Sequence, residues 1–186
     1  MARRPVLVAL AAAALLTPVL ALGSPAGAAA TPEIDPFRTD VVSPLLADCS
    51  KVPPAGRAYA RMHDLDICGT TETPVDQPLP TEAVGGEECG DLTVTATGRG
   101  GGVIAVGWRV TSRTGPITSV TLDLTVLGRT AGEVRHIFDT EAAQISHDGI
   151  VRAVGAGPAQ VALSGTVETF ITTCAITPVV TRILVR

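Results

Sequence analysis

From Asp91 onward, apolar and polar residues alternate, and turn signals recur at short intervals. Leu92, Val94 and Ala96 alternate with Thr93, Thr95 and Thr97. Ile104, Val106, Trp108 and Val110 make the next apolar face, and Val120, Leu122, Leu124 and Val126 the one after, set against Thr121, Asp123 and Thr125. A period of two sends successive side chains to opposite sides of an extended chain, which is the pattern of a half-buried strand. Val134–Asp139, Ile150–Val154, Val161–Thr169 and Cys174–Val185 continue the series. Gly98–Gly102, Gly115-Pro116, Gly128–Gly132, Asp148-Gly149 and Gly155–Pro158 punctuate it. The prediction is an all-β domain of about seven short strands.

Residues 31–88 have a different texture. Pro32, Pro36, Pro44, Pro53, Pro54, Pro74, Pro78 and Pro80 remove backbone donors and fix φ, which opposes long helices and central strands. One short helical turn is expected around Gly56–His63, and Thr70–Gly86 reads as a linker or exposed loop. The expected organisation is a Pro-rich N-terminal arm with little regular structure over 31–88 and a β-sandwich domain over 89–186. The order Cys89, Trp108, Cys174 resembles that of immunoglobulin domains. The resemblance implies an immunoglobulin-like β-sandwich with Trp108 in the core near a strand-bridging disulfide. A small barrel or jelly roll satisfies the same alternation.

The first thirty residues stand apart from both. Arg3 and Arg4 form a short positive start, Val6–Leu22 an apolar run, and Gly23–Ala30 a stretch of small residues ending in Ala28-Ala29-Ala30. This is the layout of a cleavable signal peptide over residues 1–30, cut near Ala30 so that the mature chain begins at Thr31. Pro18 and the Gly/Pro/Ala far end dilute the run below what a stable membrane span needs. The expected location is extracellular, with no membrane span in the mature chain.

Export changes the reading of composition. Losing Arg3 and Arg4 leaves 12 basic against 18 acidic residues, a net charge near −6 where the full chain has −4. A single Lys (Lys51) and scattered Arg give no cation cluster to displace counterions, so nucleic acid is not an expected partner. The aromatic residues are Phe37, Tyr59, Trp108, Phe138 and Phe170, too few to suggest a sugar-stacking site. All four cysteines, Cys49, Cys68, Cys89 and Cys174, lie in the mature part, an even number in an exported chain. Of three possible connectivities, the favoured one is a local clip Cys49–Cys68 and a long closure Cys89–Cys174. Their spacing lacks the Cys-x-x-Cys pairs of a zinc site, so no metal or other cofactor is expected.

Several polar groups invite a chemical reading. His63-Asp64-Leu65-Asp66, with Glu72 beyond, could offer oxygen ligands to a cation, although a solvated loop needs the same residues. Ser146-His147-Asp148 contains the residue types of a serine triad, but consecutive residues do not converge on one line of hydrogen bonds. His136 sits in an alternating strand beside Val134 and Phe138, either as a pH-sensitive group or at a sheet edge. Glu87-Glu88 and Asp139/Glu141 are acidic pairs whose default role is surface charge. Gly98–Gly102 lacks the helix and Lys-Ser/Thr ending of a phosphate cradle and reads as a hairpin loop.

No catalytic constellation emerges, so the chain is expected not to be an enzyme. The expected function is a secreted binding or interaction module that meets an extracellular protein or surface ligand through its loops. Two alternatives belong to other classes. One is a secreted protease inhibitor presenting a disulfide-stiffened loop, Arg61–Leu65 or Thr70–Thr81. The other is a small extracellular hydrolase using His63, His136 or His147.

Overall fold

A computed structural model describes residues 35–70, 87–140 and 143–186; the expected signal peptide over 1–30, the expected linker beyond Thr70 with Glu72, and Glu141 lie outside the described residues. Its elements are β1 (Arg38–Ala47), a 3₁₀ turn (Cys49–Lys51), α1 (Pro54–Met62), β2 (Glu88–Arg99), β3 (Val103–Ser112), β4 (Ile117–Leu127), β5 (Gly132–Asp139), β6 (Ile145–Ala153), β7 (Gly157–Thr169) and β8 (Thr173–Val185). The strands form one antiparallel sheet in the order β5-β4-β7-β8-β1-β2-β3-β6.

Alternation in the sequence becomes sidedness in this sheet. Leu92, Val94, Ala96, Ile104, Val106, Val110, Leu122, Leu124 and Val126 are each at most 1% exposed, while Thr121 and Asp123 between them face solvent. The sheet is curled so that its two outer strands return toward each other. Ile117 at the start of β4 bridges to Ala143 just ahead of β6, and the β5 carboxylate of Glu133 accepts from Arg152 on β6. Curling lets one sheet bury both ends of its inner face without a second layer.

The strand count is eight, where about seven were expected. The additional strand is β1, in the segment that the prolines marked as irregular. β1 pairs with β2 along its length, from Arg38↔Thr97 to Leu46↔Glu88, but with β8 only through Leu45–Ala47. Pro44 lies just before that short ladder, where β1 has a backbone ladder on one side only and β8 is reached by the Ser43 hydroxyl, which donates to the Thr177 carbonyl. There it behaves as an edge strand and tolerates a residue without an N–H. Its local pattern, Arg-Thr-Asp-Val-Val-Ser-Pro, is too polar to announce a strand; the partner on β2 supplies what the sequence lacks.

Two disulfides fasten the N-terminal segment. Cys49–Cys68 ties the 3₁₀ turn to the loop after α1, with Cα atoms 5.4 Å apart. Cys89–Cys174 joins β2 to β8, the strands on either side of β1, at 6.4 Å. Trp108 is 5% exposed and belongs to the inner face. Among the described residues, no helix is long and apolar enough to cross a membrane.

Candidate functional site

Two places bring chemically distinctive side chains together: the α1 end of the molecule and the seam between β5 and β6.

α1 begins at Pro54, whose preset φ suits a first helical position, after Pro53 in an extended conformation. Its inward face is small. Ala60 is fully buried, and a Cβ added at Gly56 would lie 2.5 Å from the Ile171 carbonyl oxygen, so the helix rests directly on the β7–β8 turn. That approach lifts the next ring outward. Tyr59 packs against Phe170 at 5.0 Å between ring centroids and against His63 at 4.1 Å. The far side of the Tyr59 ring meets Gly115, where an added Cβ would be 3.1 Å away.

Both supports of this cluster are rigid. The Thr169 hydroxyl donates to the Thr172 carbonyl and accepts from the backbone N–H of Ile171 and Thr172, while the Phe170 N–H donates to the Pro116 carbonyl. On the other side, Asp64 at φ 53° ends the helix. The Leu65 N–H then donates to the Ala60 carbonyl, and the Thr70 hydroxyl donates to the Leu65 carbonyl. Cys49–Cys68 anchors the same loop. The result is a fixed platform presenting Phe170 at 46% and Met62 at 73% exposure, beside Tyr59 and His63. Grouped exposed apolar side chains of this kind mark contact surfaces more often than isolated ones do.

At the other place, β5 and β6 are consecutive and form the two edges of the sheet. Side chains bridge them at both ends: Glu133 with Arg152, and Asp139, which accepts from the Ser146 hydroxyl at 3.0 Å. A cleft of about 230 Å³ opens beside the second bridge, lined by Trp108, Val120, Ile137, Asp139, Ser146 and Asp148 among others. On the outer face, Thr93, Thr95, Gly107 and Arg109 border a shallower groove of about 450 Å³ that also reaches Trp108 and Asp148.

The residue groups singled out by sequence fall as follows. Ser146 is buried and turned to Asp139, whereas His147 is exposed beside Arg109 across the β3–β6 ladder, so the Ser-His-Asp run is split over the two faces of β6. His136 stands on the outer face of the edge strand β5, its side chain 82% exposed and its Nδ1 against the Asp123 carboxylate. His63 joins the aromatic platform, and no group of three His, Cys, Asp or Glu suited to a metal ion exists among the described residues. Arg61 and Met62 belong to α1, and Leu65 packs against the core. Glu88 is ion-paired with Arg113, Glu87 accepts from the Cys68 N–H, and Gly98–Gly102 form the end of β2 and its turn into β3. The Tyr59–Phe170 pairing was not legible in the sequence, because 111 positions separate the two rings. The Asp139–Ser146 bridge had one available signal, a polar residue in each of two strands joined by a short connection.

Charged pairs elsewhere hold carboxylates below their usual range. Asp40 is lowered by the Thr95 hydroxyl and then by Arg38, Asp48 by the Ser50 hydroxyl and then Lys51, and Glu133 by Arg152. None of these groups is buried, so they steady strand ends and do not mark a reactive centre.

The chain matches no family model, no curated protein and no solved structure.

Proposed function

We propose that this protein is a secreted, disulfide-stabilised binding module that docks on an extracellular protein through the α1 platform. The observation that carries this reading is the half-buried Tyr59 ring with His63 and Phe170 packed on it and Met62 one helical turn on, the last three exposed, on a support fixed by Thr169, Pro116 and Cys49–Cys68. Aromatic side chains on a rigid base lose little conformational freedom on binding, and aromatic residues and Met are enriched in the buried centre of known interfaces. Two disulfides suit an oxidising compartment, and the leader reading of residues 1–30 supplies the route there.

The architecture supports the same reading as an immunoglobulin-like sandwich. β5-β4-β7-β8 and β1-β2-β3-β6 are two four-stranded halves, and they meet through the three-residue β8–β1 ladder. With so short a ladder at its middle, the curled sheet is compatible with the sandwich reading, in which end loops carry recognition.

The test is affinity capture from the native culture medium with three baits: the wild-type protein, a Met62→Ser/Phe170→Ser variant, and a Val180→Ser control whose changed residue is 61% exposed elsewhere. A protein retained by the wild type and the control but not by the platform variant is expected. Capture equal across all three baits, or none above background, overturns the reading.

A further inference from the structure

Half of the large apolar side chains exposed among the described residues lie on one face of the sheet. Leu127 on β4, Val134 and Phe138 on β5, and Val180 and Leu184 on β8 are 42–70% exposed. The ladders place all five on the outer face of β5-β4-β7-β8, the side turned away from the core. Between β5 and β8 the face carries small, uncharged side chains, namely Thr121, Thr125, Ala162, Ser164 and Thr166. The Asp123 carboxylate is held by His136 on the next strand, and Arg182 stands toward one end, opposite Gln160. Apolar side chains collected on one patch mark a contact surface, whereas the same residues scattered singly do not. Large residues along two sides with small ones between them make a shallow trough, which a second sheet can enter at the usual spacing of about 10 Å.

The symmetry of the face identifies what covers it. One row across β5, β4, β7 and β8 reads Val134, Thr125, Ala162, Val180. The row nearer the β7–β8 turn reads Phe138, Thr121, Thr166, Ala175. A two-fold axis along the strands, between β4 and β7, exchanges β5 with β8 and keeps every row in register. It sets Val134 against Val180 of the second copy, Thr125 against Ala162, and the Phe138 ring against the small Ala175. Asp123 meets Ser164, so no like charges collide at the centre. Such self-complementarity is what an isologous interface requires. A face four strands wide and about eight residues long covers about 500 Å² at ordinary strand spacing and rise. Two such faces reach about 1,000 Å², the lower bound for a specific interface.

We propose that the outer face of β5-β4-β7-β8 pairs with the same face of a second copy of this chain, forming a reversible two-fold dimer of face-to-face sheets. The α1 platform remains separate. Phe170 follows the last residue of β7, and Tyr59 packs on it there, beyond the end of the face. Val180→Ser therefore weakens pairing and leaves the platform of each copy intact.

Sedimentation velocity of the purified protein, from low to high micromolar concentration, is expected to show a monomer–dimer equilibrium. On dilution of the wild type, the amide resonances of Thr125 and Ala162 should shift while those of Thr93 and Thr95 on β2 stay in place. Val134→Asp and Val180→Arg each set an unpaired charge against an apolar residue of the other copy, and each should weaken dimerisation by about tenfold or more. Mixed in equal amounts, the two variants can form a heterodimer in which the new charges face each other and the second contact is the unaltered Val134–Val180 pair. Dimerisation is expected to return in that mixture. Both positions are more than half exposed, so each variant should keep the wild-type urea midpoint. A chain monomeric throughout the series overturns the proposal, including one that instead cosediments with phosphatidylcholine vesicles. So does a dimer that both variants preserve, a dimer that Met62→Ser/Phe170→Ser abolishes, or dilution shifts confined to β2. A mixture that stays monomeric while both variants keep the wild-type midpoint overturns it as well.

Discussion

At the scale of single residues, the closest approaches in the molecule are made where a side chain is missing. Gly165 in β7 has φ +146°, and a Cβ there would fall 2.0 Å from the Thr121 carbonyl oxygen, at the point where the β7–β8 register shifts. Both strain and collision oppose any larger residue. Gly165→Ala is expected to destabilise by more than about 1 kcal/mol in urea unfolding. Gly100→Ala, with nothing within 4 Å of the added atom, should lie within about 0.5 kcal/mol of wild type. Equal midpoints for the two variants would contradict the packing described for Gly165. The sequence shows both glycines alike. Gly100 announces a turn by its neighbours Gly98, Gly101 and Gly102, whereas Gly165 sits inside an alternating run, and only the neighbouring strand reveals why it must be glycine.

At the scale of elements, β5 was predicted as a strand and β6 only over Ile150–Val154; the expected turn at Asp148-Gly149 lies inside β6, paired with Trp108 and Gly107, and the places of both strands at the two edges of the sheet were not predicted. An edge carries unpaired backbone groups and invites other chains. Here Glu133–Arg152 and Asp139–Ser146 close the two edges on each other with side chains. Arg152 lowers the Glu133 pKa, so the folded state favours the deprotonated carboxylate. Stability from this pair is fully present above the ordinary carboxylate pKa of about 4 and is lost as pH falls below it, through the lowered folded value. Hydrogen exchange of the β5 and β6 amides should therefore quicken below about pH 4 relative to those of β2. Glu133→Gln should remove part of that pH dependence. Protection that falls uniformly across the sheet would argue against a seam held by ionised side chains.

At the scale of the whole molecule, Cys89–Cys174 closes a loop of 85 residues around the short β8–β1 ladder. In the chain-entropy account such a closure contributes about 4–5 kcal/mol, and the 19-residue Cys49–Cys68 clip about 3 kcal/mol. Cys89→Ala/Cys174→Ala is expected to lower the unfolding free energy more than Cys49→Ala/Cys68→Ala, measured by denaturant titration. The reverse order would mean that the N-terminal loop, and not the sheet junction, limits stability. The sequence by itself determined the all-β class, most of the strands and the buried face of β2, β3 and β4. Those features follow from local composition and a two-residue period. The sequence did not show the buried face of β5, where the apolar positions Val134 and Phe138 are 63% and 70% exposed, and the face turned inward carries Ile137 between charged residues. It did not determine that β1 enters the sheet between β8 and β2, that β5 and β6 face each other, or that Tyr59 meets Phe170. These are contacts between distant positions, and pairing energy there comes from the partner strand or ring. A polar, proline-bearing segment such as Arg38–Ala47 becomes a strand only when β2 offers it a ladder.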